Sequence, residues 1–433
     1  MQFSEEQIWA LAPDEASKKA GKDLAYSEKW ITKGYNDLAI WGECKGSGSK
    51  PYETQIHIET ITCKCSCPSR KFPCKHSLGL LILYVKNKAI FTHSTEPTWV
   101  TDWLKKKKEQ SAKKEESKEK PINEISQAKR LQAREELVDS GIEELLIWMK
   151  DVIKNGIVSF PEKGTSILHH LAKRMVDAKS QGLASLLRKM AAIDFYTEGW
   201  ENIFLSHLFN LYLVVSGFKN KSNINELLLE DIKGNIGFIK TQEQLKILDG
   251  ITDNWIVIGK QTTQEDDMMI ERNWLYGCSS KQYALIIHFS VRWQVNSLLL
   301  VPGSCIHATL VFYPSAHPLR AIIKEQFAVV ESPKFKGADN WDEVSNSIQN
   351  CKQIMPLMID LPFIIHQVIP VFHQNSWWLK DVENKMVRLP KKFSSLFDLL
   401  AISGGNAVDI SVVGNGLIFQ PIGVWMQHQY IRL

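Results

Sequence analysis

One stretch constrains this chain more than any other: Cys65-Ser66-Cys67-Pro68-Ser69-Arg70-Lys71-Phe72-Pro73-Cys74-Lys75-His76. It reads C-x-C, then six residues, then C-x-H. Three thiols and an imidazole this close in sequence make a tetrahedral Cys3His set suited to zinc. Alternate residues of an extended strand project to one face, so Cys65 and Cys67 can reach a common ion, with Pro68 ending the strand. Residues two apart on a helix point to nearly opposite sides. Cys74 is therefore expected on the loop after Pro73, and His76 in the first turn of a helix that runs on through Ser77–Val85. That helix is apolar on all sides and should be buried. The expected module is a strand pair followed by a helix, with the metal at the join.

Four protein ligands fill a tetrahedron and leave no position for water, which favours one structural Zn2+ over a catalytic one. Such a site contributes on the order of 10 kcal/mol to the folding of a small module. Cys63 extends the alternation, so Cys63-x-Cys65 is also a candidate pair. Cys65 and Cys67 are preferred because they adjoin the turn that returns Cys74; Cys63 is then a spare thiol or a small buried residue. Three thiolates and a neutral imidazole leave the zinc site with a net negative charge. Lys64, Arg70, Lys71 and Lys75 surround it. Charge compensation is the preferred reading of these cations, and phosphate contact through Arg70, Lys71 and Lys75 is the alternative.

The chain has 433 residues, more than one ordinary core accommodates. The reading is an α+β, multidomain protein: a zinc-finger domain at 1–100, a charged linker at 101–128, a helical domain at 129–250 and a strand-rich α+β domain at 251–433. A formal charge of +4 over this length is unlike a protein dedicated to coating nucleic acid. The N-terminus has no basic region followed by an apolar core, and no apolar run is long enough to span a bilayer, so no membrane association is expected. Eight cysteines, four of them scattered, suit a reducing cytoplasm rather than a disulfide framework.

Ser4 to Lys33 has a helical pattern that Gly21 interrupts, and Leu38–Cys44 and Gln55–Thr60 read as strands. Gly46–Lys50 lacks P-loop spacing and precedes a strand, so a hairpin loop is expected. His57 should lie on an exposed strand face. Lys105 to Lys120 reads as a solvated tether. Ile122 to Leu248 has a helical period. Ile142, Leu145, Leu146, Met149, Val152 and Ile153 form one apolar face, Ile167 begins a second, and Ile203 to Val215 should be a central helix. From Asn254 short β-type runs follow, with Leu319 to Val330 expected to be helical. His169-His170 has no carboxylate placed to complete a metal motif and reads as structural. Cys305 and His307 share a strand face but lack a third catalytic group, so core residues are expected there and no enzyme activity is inferred. Trp377-Trp378 fits a core pair or an aromatic contact.

The C-x-C…C-x-H motif resembles the SWIM zinc finger. Ala12-Pro13-Asp14, Trp41-Gly42-Glu43-Cys44, Gly46 through Tyr52 and Cys67 through His76 are similar to bacterial SWIM zinc finger family proteins. Val176-Asp177-Ala178, Gly182-Leu183-Ala184, Tyr313-Pro314-Ser315, Pro318-Leu319-Arg320-Ala321 and Leu399 through Gly405 fit the same family less specifically. The resemblance implies zinc binding at Cys65, Cys67, Cys74 and His76, and contact with protein or nucleic acid. Gene neighbourhoods in the family imply protein partners, a MoxR-type AAA+ ATPase or a von Willebrand A protein. The leading expectation is a non-enzymatic zinc-binding adaptor; DNA binding through the basic flank of the finger is the alternative.

Overall fold

The structure, a computed structural model, describes residues 5–9, 11–46, 50–58, 62–69, 71–106, 124–157, 160–238, 240–265, 268–291, 300–331, 335–357, 359–416, 418–426 and 429–433. The chain is α+β and multidomain, with an N-terminal part built on a five-stranded sheet, a helical middle, and a strand-rich C-terminal part.

The N-terminal part begins with α1 (Glu5–Trp9) and α2 (Glu15–Lys22). Asp14 caps α2 by accepting from the Ser17 N–H at 2.7 Å, the side-chain bond that satisfies an otherwise orphaned first-turn amide. Four antiparallel strands follow: β1 (Trp30–Tyr35), β2 (Ala39–Cys44), β3 (Tyr52–His57) and β4 (Cys63–Cys65). After them come α3 (Lys75–Lys86) and the short β5 (Thr92–His93), which pairs parallel to β1. The sheet order is β4-β3-β2-β1-β5. One face packs on α3, burying Ile40, Ile56 and Cys63 against Leu78, Leu81 and Ile82. The other is covered by α4 (98–106), whose Val100, Trp103 and Leu104 meet Ala39 and Trp41.

Two expectations for this region are corrected. Residues 30–33 are strand, because Trp30, Ile31 and Thr32 suit a pleated surface and β2 is there to pair with them. Gly21 does not interrupt α2. It lies within the helix facing α3, where an added Cβ would meet Leu78 Cβ at 3.1 Å, so the glycine serves close helix packing.

The helical middle comprises α5 (Glu124–Asn155), α6 (Phe160–Asp177), α7 (Gln181–Ala191), α8 (Trp200–Lys219), α9 (Glu226–Ile236) and the short α10 (Gln242–Lys246). Val138, Ile142, Leu145 and Met149 of α5 share a core with Leu168, Leu183, Phe204 and Leu211. The face read from sequence is narrower than expected: Ile153 is 72% exposed and Ile167 42%. α8 is also only half enclosed. Phe204, Leu208, Leu211 and Val215 are buried, whereas Leu205, Phe209 and Tyr212 face solvent, Phe209 at 62%.

The C-terminal part has two sheets. The first contains β6 (Ile251–Glu265), β7 (Met268–Gly277), β8 (Tyr283–Val291), β9 (Cys305–Phe312) and β10 (Ala321–Val330), in the order β10-β9-β6-β7-β8. The second contains β11 (Leu361–His373), β12 (Ser376–Lys380), β13 (Met386–Arg388), β14 (Val408–Gly414), β15 (Phe419–Met426) and β16 (Gln429–Arg432), in the order β13-β12-β11-β14-β15-β16. Helices α11 (Trp341–Ile354) and α12 (Leu396–Ser403) accompany it.

The expected helix over Leu319 to Val330 is overturned. Ala321–Val330 pairs antiparallel with β9, from Ala321↔Phe312 to Val330↔Cys305. Ala321-Ile322-Ile323 is a short apolar run that a helix or a strand can accommodate, and the available β9 edge decides. The lysine-rich stretch 107–120, the tip of the 46–50 loop at 47–49 and the Asp266-Asp267 turn lie outside the described residues. No described helix is long and apolar enough to cross a membrane.

Candidate metal centre

β3 and β4 pair antiparallel, with Thr54 opposite Cys65, and this ladder delivers the first ligand. The strand ends at Cys65. Cys67 lies in the bend beyond it, so the chain turns two residues earlier than Pro68 alone suggests. The loop returns through a cis Phe72–Pro73 peptide to Cys74, the N-cap of α3. His76 sits in the first turn of that helix and is 4% exposed.

The ligand atoms of Cys65, Cys67, Cys74 and His76 all lie within 4.8 Å of one another. Cys65 Sγ is 3.7 Å from His76 Nδ1. Zinc bonds of about 2.3 Å to sulfur and about 2.0 Å to nitrogen place tetrahedral neighbours at close to that separation. The donor set and spacing thus fit one structural Zn2+, with Nδ1 as the imidazole donor.

The surroundings favour thiolate at Cys74, while hydrogen bonding among the three thiols and burial push Cys65 and Cys67 up. The Ser77 N–H donates to Cys74 Sγ at 3.4 Å, and the Ser77 hydroxyl is also 3.4 Å away. The positive end of α3 therefore faces this sulfur, an arrangement that stabilises thiolate. The neighbouring Cys65 and Cys67 thiols, with His76 and Ser77, hold the Cys74 thiol well below its usual range. The buried Thr54 hydroxyl donates to Cys65 Sγ at 3.2 Å. The Tyr52 ring packs on His76 at 4.8 Å between centroids and fixes its plane. Thr54, Ser77 and Tyr52 support the ligands and were missed in the sequence, because their roles follow from the fold around the site.

Cys63 is fully buried in the core between the sheet and α3 and lies outside the ligand cluster. Lys71 is ion-paired with Asp14 at 2.7 Å, while Lys64 and Lys75 are exposed. Arg70 lies outside the described residues.

The other sequence candidates are not brought together as sites. Cys305 is buried beside Cys278, and His307 Nδ1 is 2.9 Å from Asn254 Oδ1, so the two engage different partners. His169 and His170 are both exposed on α6, and His57 is half-buried. Trp377 packs against Phe372 with centroids 5.2 Å apart, and Trp378 donates to the His373 carbonyl at 2.9 Å.

Residues 52–84 match the family model of the SWIM zinc finger, and residues 133–236 match that of the SWIM-associated four-helix bundle domain. The first spans β3 to α3 and contains all four ligands. The second runs from within α5 to the end of α9. No curated protein and no solved structure matches the chain.

Proposed function

Taking as premise a chain that carries a SWIM zinc finger and the four-helix bundle associated with it, we propose that it is a non-enzymatic adaptor. In this reading zinc holds the finger rigid and the bundle docks a protein. The observation that carries the reading is the stripe of Leu205, Phe209 and Tyr212 on α8. These residues stand four and three apart, share one face of the helix, and are 46%, 62% and 47% exposed. Exposed apolar residues contiguous on one helix face mark contact surfaces more often than scattered single ones do. The closed ligand set supports the same reading, since it gives zinc no open position for chemistry. The partner class is the one implied by the resemblance, a MoxR-type AAA+ ATPase or a von Willebrand A protein, met in the cytoplasm.

The test is co-purification of such an ATPase with the tagged full chain and with Phe209→Ser. Recovery by the wild type and loss in the variant support the adaptor reading. Failure of the wild type to retain the ATPase counts against it.

The competing DNA-binding reading relies on the basic flank of the finger. Asp14 already occupies Lys71, which leaves Lys64 and Lys75 as the described exposed cations of that flank. Titration with single- and double-stranded DNA across a salt series tests it. Tight binding with a steep salt slope, lost in Lys75→Ala, would favour this reading.

A further inference from the structure

The sheet formed by β6 to β10 curls into a barrel. The Leu285 N–H of β8 donates to the Leu319 carbonyl at 2.7 Å, and Leu285 and Arg320 form a parallel bridge, so β8 closes on the start of β10. Numbered along the chain, these strands lie in the order five-four-one-two-three, and strand three closes on strand five. Trp255, Val257, Leu275, Ile286, Ala308 and Leu310 fill the inside. This is the arrangement of the five-stranded Greek-key OB barrel, in which ligands lie on the outer face of strands two and three, between the one–two and four–five loops. Fold analogy alone assigns no ligand. The side chains on that face do carry an argument.

In this barrel the corresponding face is the outer side of β7 and β8. It forms one wall of a cavity of about 810 Å3, within the range of ligand sites. The β9–β10 loop and α9 form other walls, and β15 closes part of the remainder. Arg272 of β7 and Arg320 at the end of the β9–β10 loop both line it. Cross-strand pairing places Arg272 opposite Ile287, two residues along β8 from Leu285, which bridges to Arg320. Strand spacing puts the two Cα atoms roughly 12 Å apart, a gap two arginine side chains can close on one ligand.

Their charges are uncommitted. Lys240 and Lys260 also line the cavity, but Glu230 pairs with the first at 3.0 Å and Glu271 with the second at 2.6 Å. Arg272 donates to the Thr263 hydroxyl at 2.8 Å, and the Arg320 guanidinium lies 4.5 Å from the centre of the Tyr313 ring. Among the described residues neither arginine has a carboxylate partner. Guanidinium groups on an apolar floor suit a phosphate, which accepts two parallel hydrogen bonds from each. The floor between them is Leu285 and Ile287. The facing α9 wall offers the Asn235 side-chain carbonyl as an acceptor, since the Asn235 amide nitrogen donates to the Asp231 carbonyl and the Asp231 carboxylate already accepts the Ala316 N–H at 2.8 Å. A ligand that satisfies both walls has an anionic end, an apolar face and a hydrogen-bond donor.

We propose that this cleft binds a nucleotide unit, with its phosphate held by Arg272 and Arg320. A free nucleotide and one residue of a single strand present the same chemistry here. The inference rests on the barrel and stands apart from the adaptor reading of the finger and bundle.

The test is isothermal titration of the zinc-loaded full chain at low salt with ADP, adenosine and a short oligothymidylate. ADP or the oligonucleotide should bind saturably, with adenosine at least about tenfold weaker, because the charged hydrogen bonds are missing. Arg272→Gln/Arg320→Gln should weaken binding by at least about tenfold. Ser394→Glu, at an exposed position on the cavity wall, should weaken it by repulsion while leaving the barrel intact. Binding by ADP alone identifies a free nucleotide as the ligand, and binding by the oligonucleotide alone identifies a strand. Absence of saturable binding of both to the wild-type chain overturns the proposal, as does undiminished affinity in Ser394→Glu and the double variant, or affinity lost in Lys71→Ala/Lys75→Ala instead.

Discussion

Lys71 Nζ lies 2.7 Å from Asp14 Oδ2, so a residue of the zinc loop is tied to the N-terminus of α2. Asp14 serves two partners, since its other oxygen caps the helix at Ser17. Lys71 holds the Asp14 carboxyl below its usual range, against the opposing effect of partial burial and with help from the Ser17 N–H.

The two residues therefore differ in weight. Both are exposed by more than a third, so Lys71→Ala should cost only about 0–1 kcal/mol, with the difference from wild type shrinking at high salt. Asp14→Ala should cost about 1 kcal/mol more, because it also removes the cap of α2. Denaturant unfolding at neutral pH in low and high salt checks both. Equal costs for the two variants would show that capping carries no weight here.

The cysteines should separate cleanly by metal content. Cys74→Ser removes the ligand nearest the α3 N-terminus and should abolish stoichiometric zinc binding. Cys63→Ser places a hydroxyl in the core against α3 and should lower stability by about 1–3 kcal/mol while retaining the metal. Metal analysis of the two purified variants decides. Loss of zinc in Cys63→Ser would reassign the ligand set.

A buried pair in the barrel carries a larger energy. Lys260 Nζ is 2.6 Å from Glu271 Oε2, and their side chains are 6% and 20% exposed. Asn273 donates to the other Glu271 oxygen at 3.1 Å. Burial is the largest single influence and would raise the Glu271 carboxyl, but the charge and hydrogen bond of Lys260 together with the Asn273 hydrogen bond bring it below its usual range, while burial pushes the Lys260 ammonium down. Lys260→Met should cost about 3–5 kcal/mol by leaving an uncompensated buried charge, and Lys260→Met/Glu271→Leu should recover much of that loss. Equilibrium unfolding of single and double variants checks it; additive losses would contradict it.

The zinc site was legible because its information is local. Twelve consecutive residues supply every ligand, and the apolar run Leu78–Val85 announces the buried helix that carries His76. What was not legible depends on partners distant in sequence. Nothing local in the sequence links Lys71 to Asp14, and only the fold brings them together. Trp30–Lys33 and Ala321–Val330 have patterns that a helix can also use, and β2 and β9 select the strand. Phe209 looks like core within an apolar helix, and its exposure follows from which side of α8 the other helices cover. Arg272 and Arg320 are 48 residues apart in number, and barrel closure is what places them on one cavity.

The central claim is that four protein ligands close around one zinc ion. X-ray absorption at the zinc edge of the full chain tests it most directly. The account predicts one zinc per chain, three sulfur neighbours at about 2.3 Å and one nitrogen at about 2.0 Å, with no oxygen from water. Two sulfurs, or an oxygen ligand that exchanges with solvent, would contradict it and reopen zinc chemistry at this site.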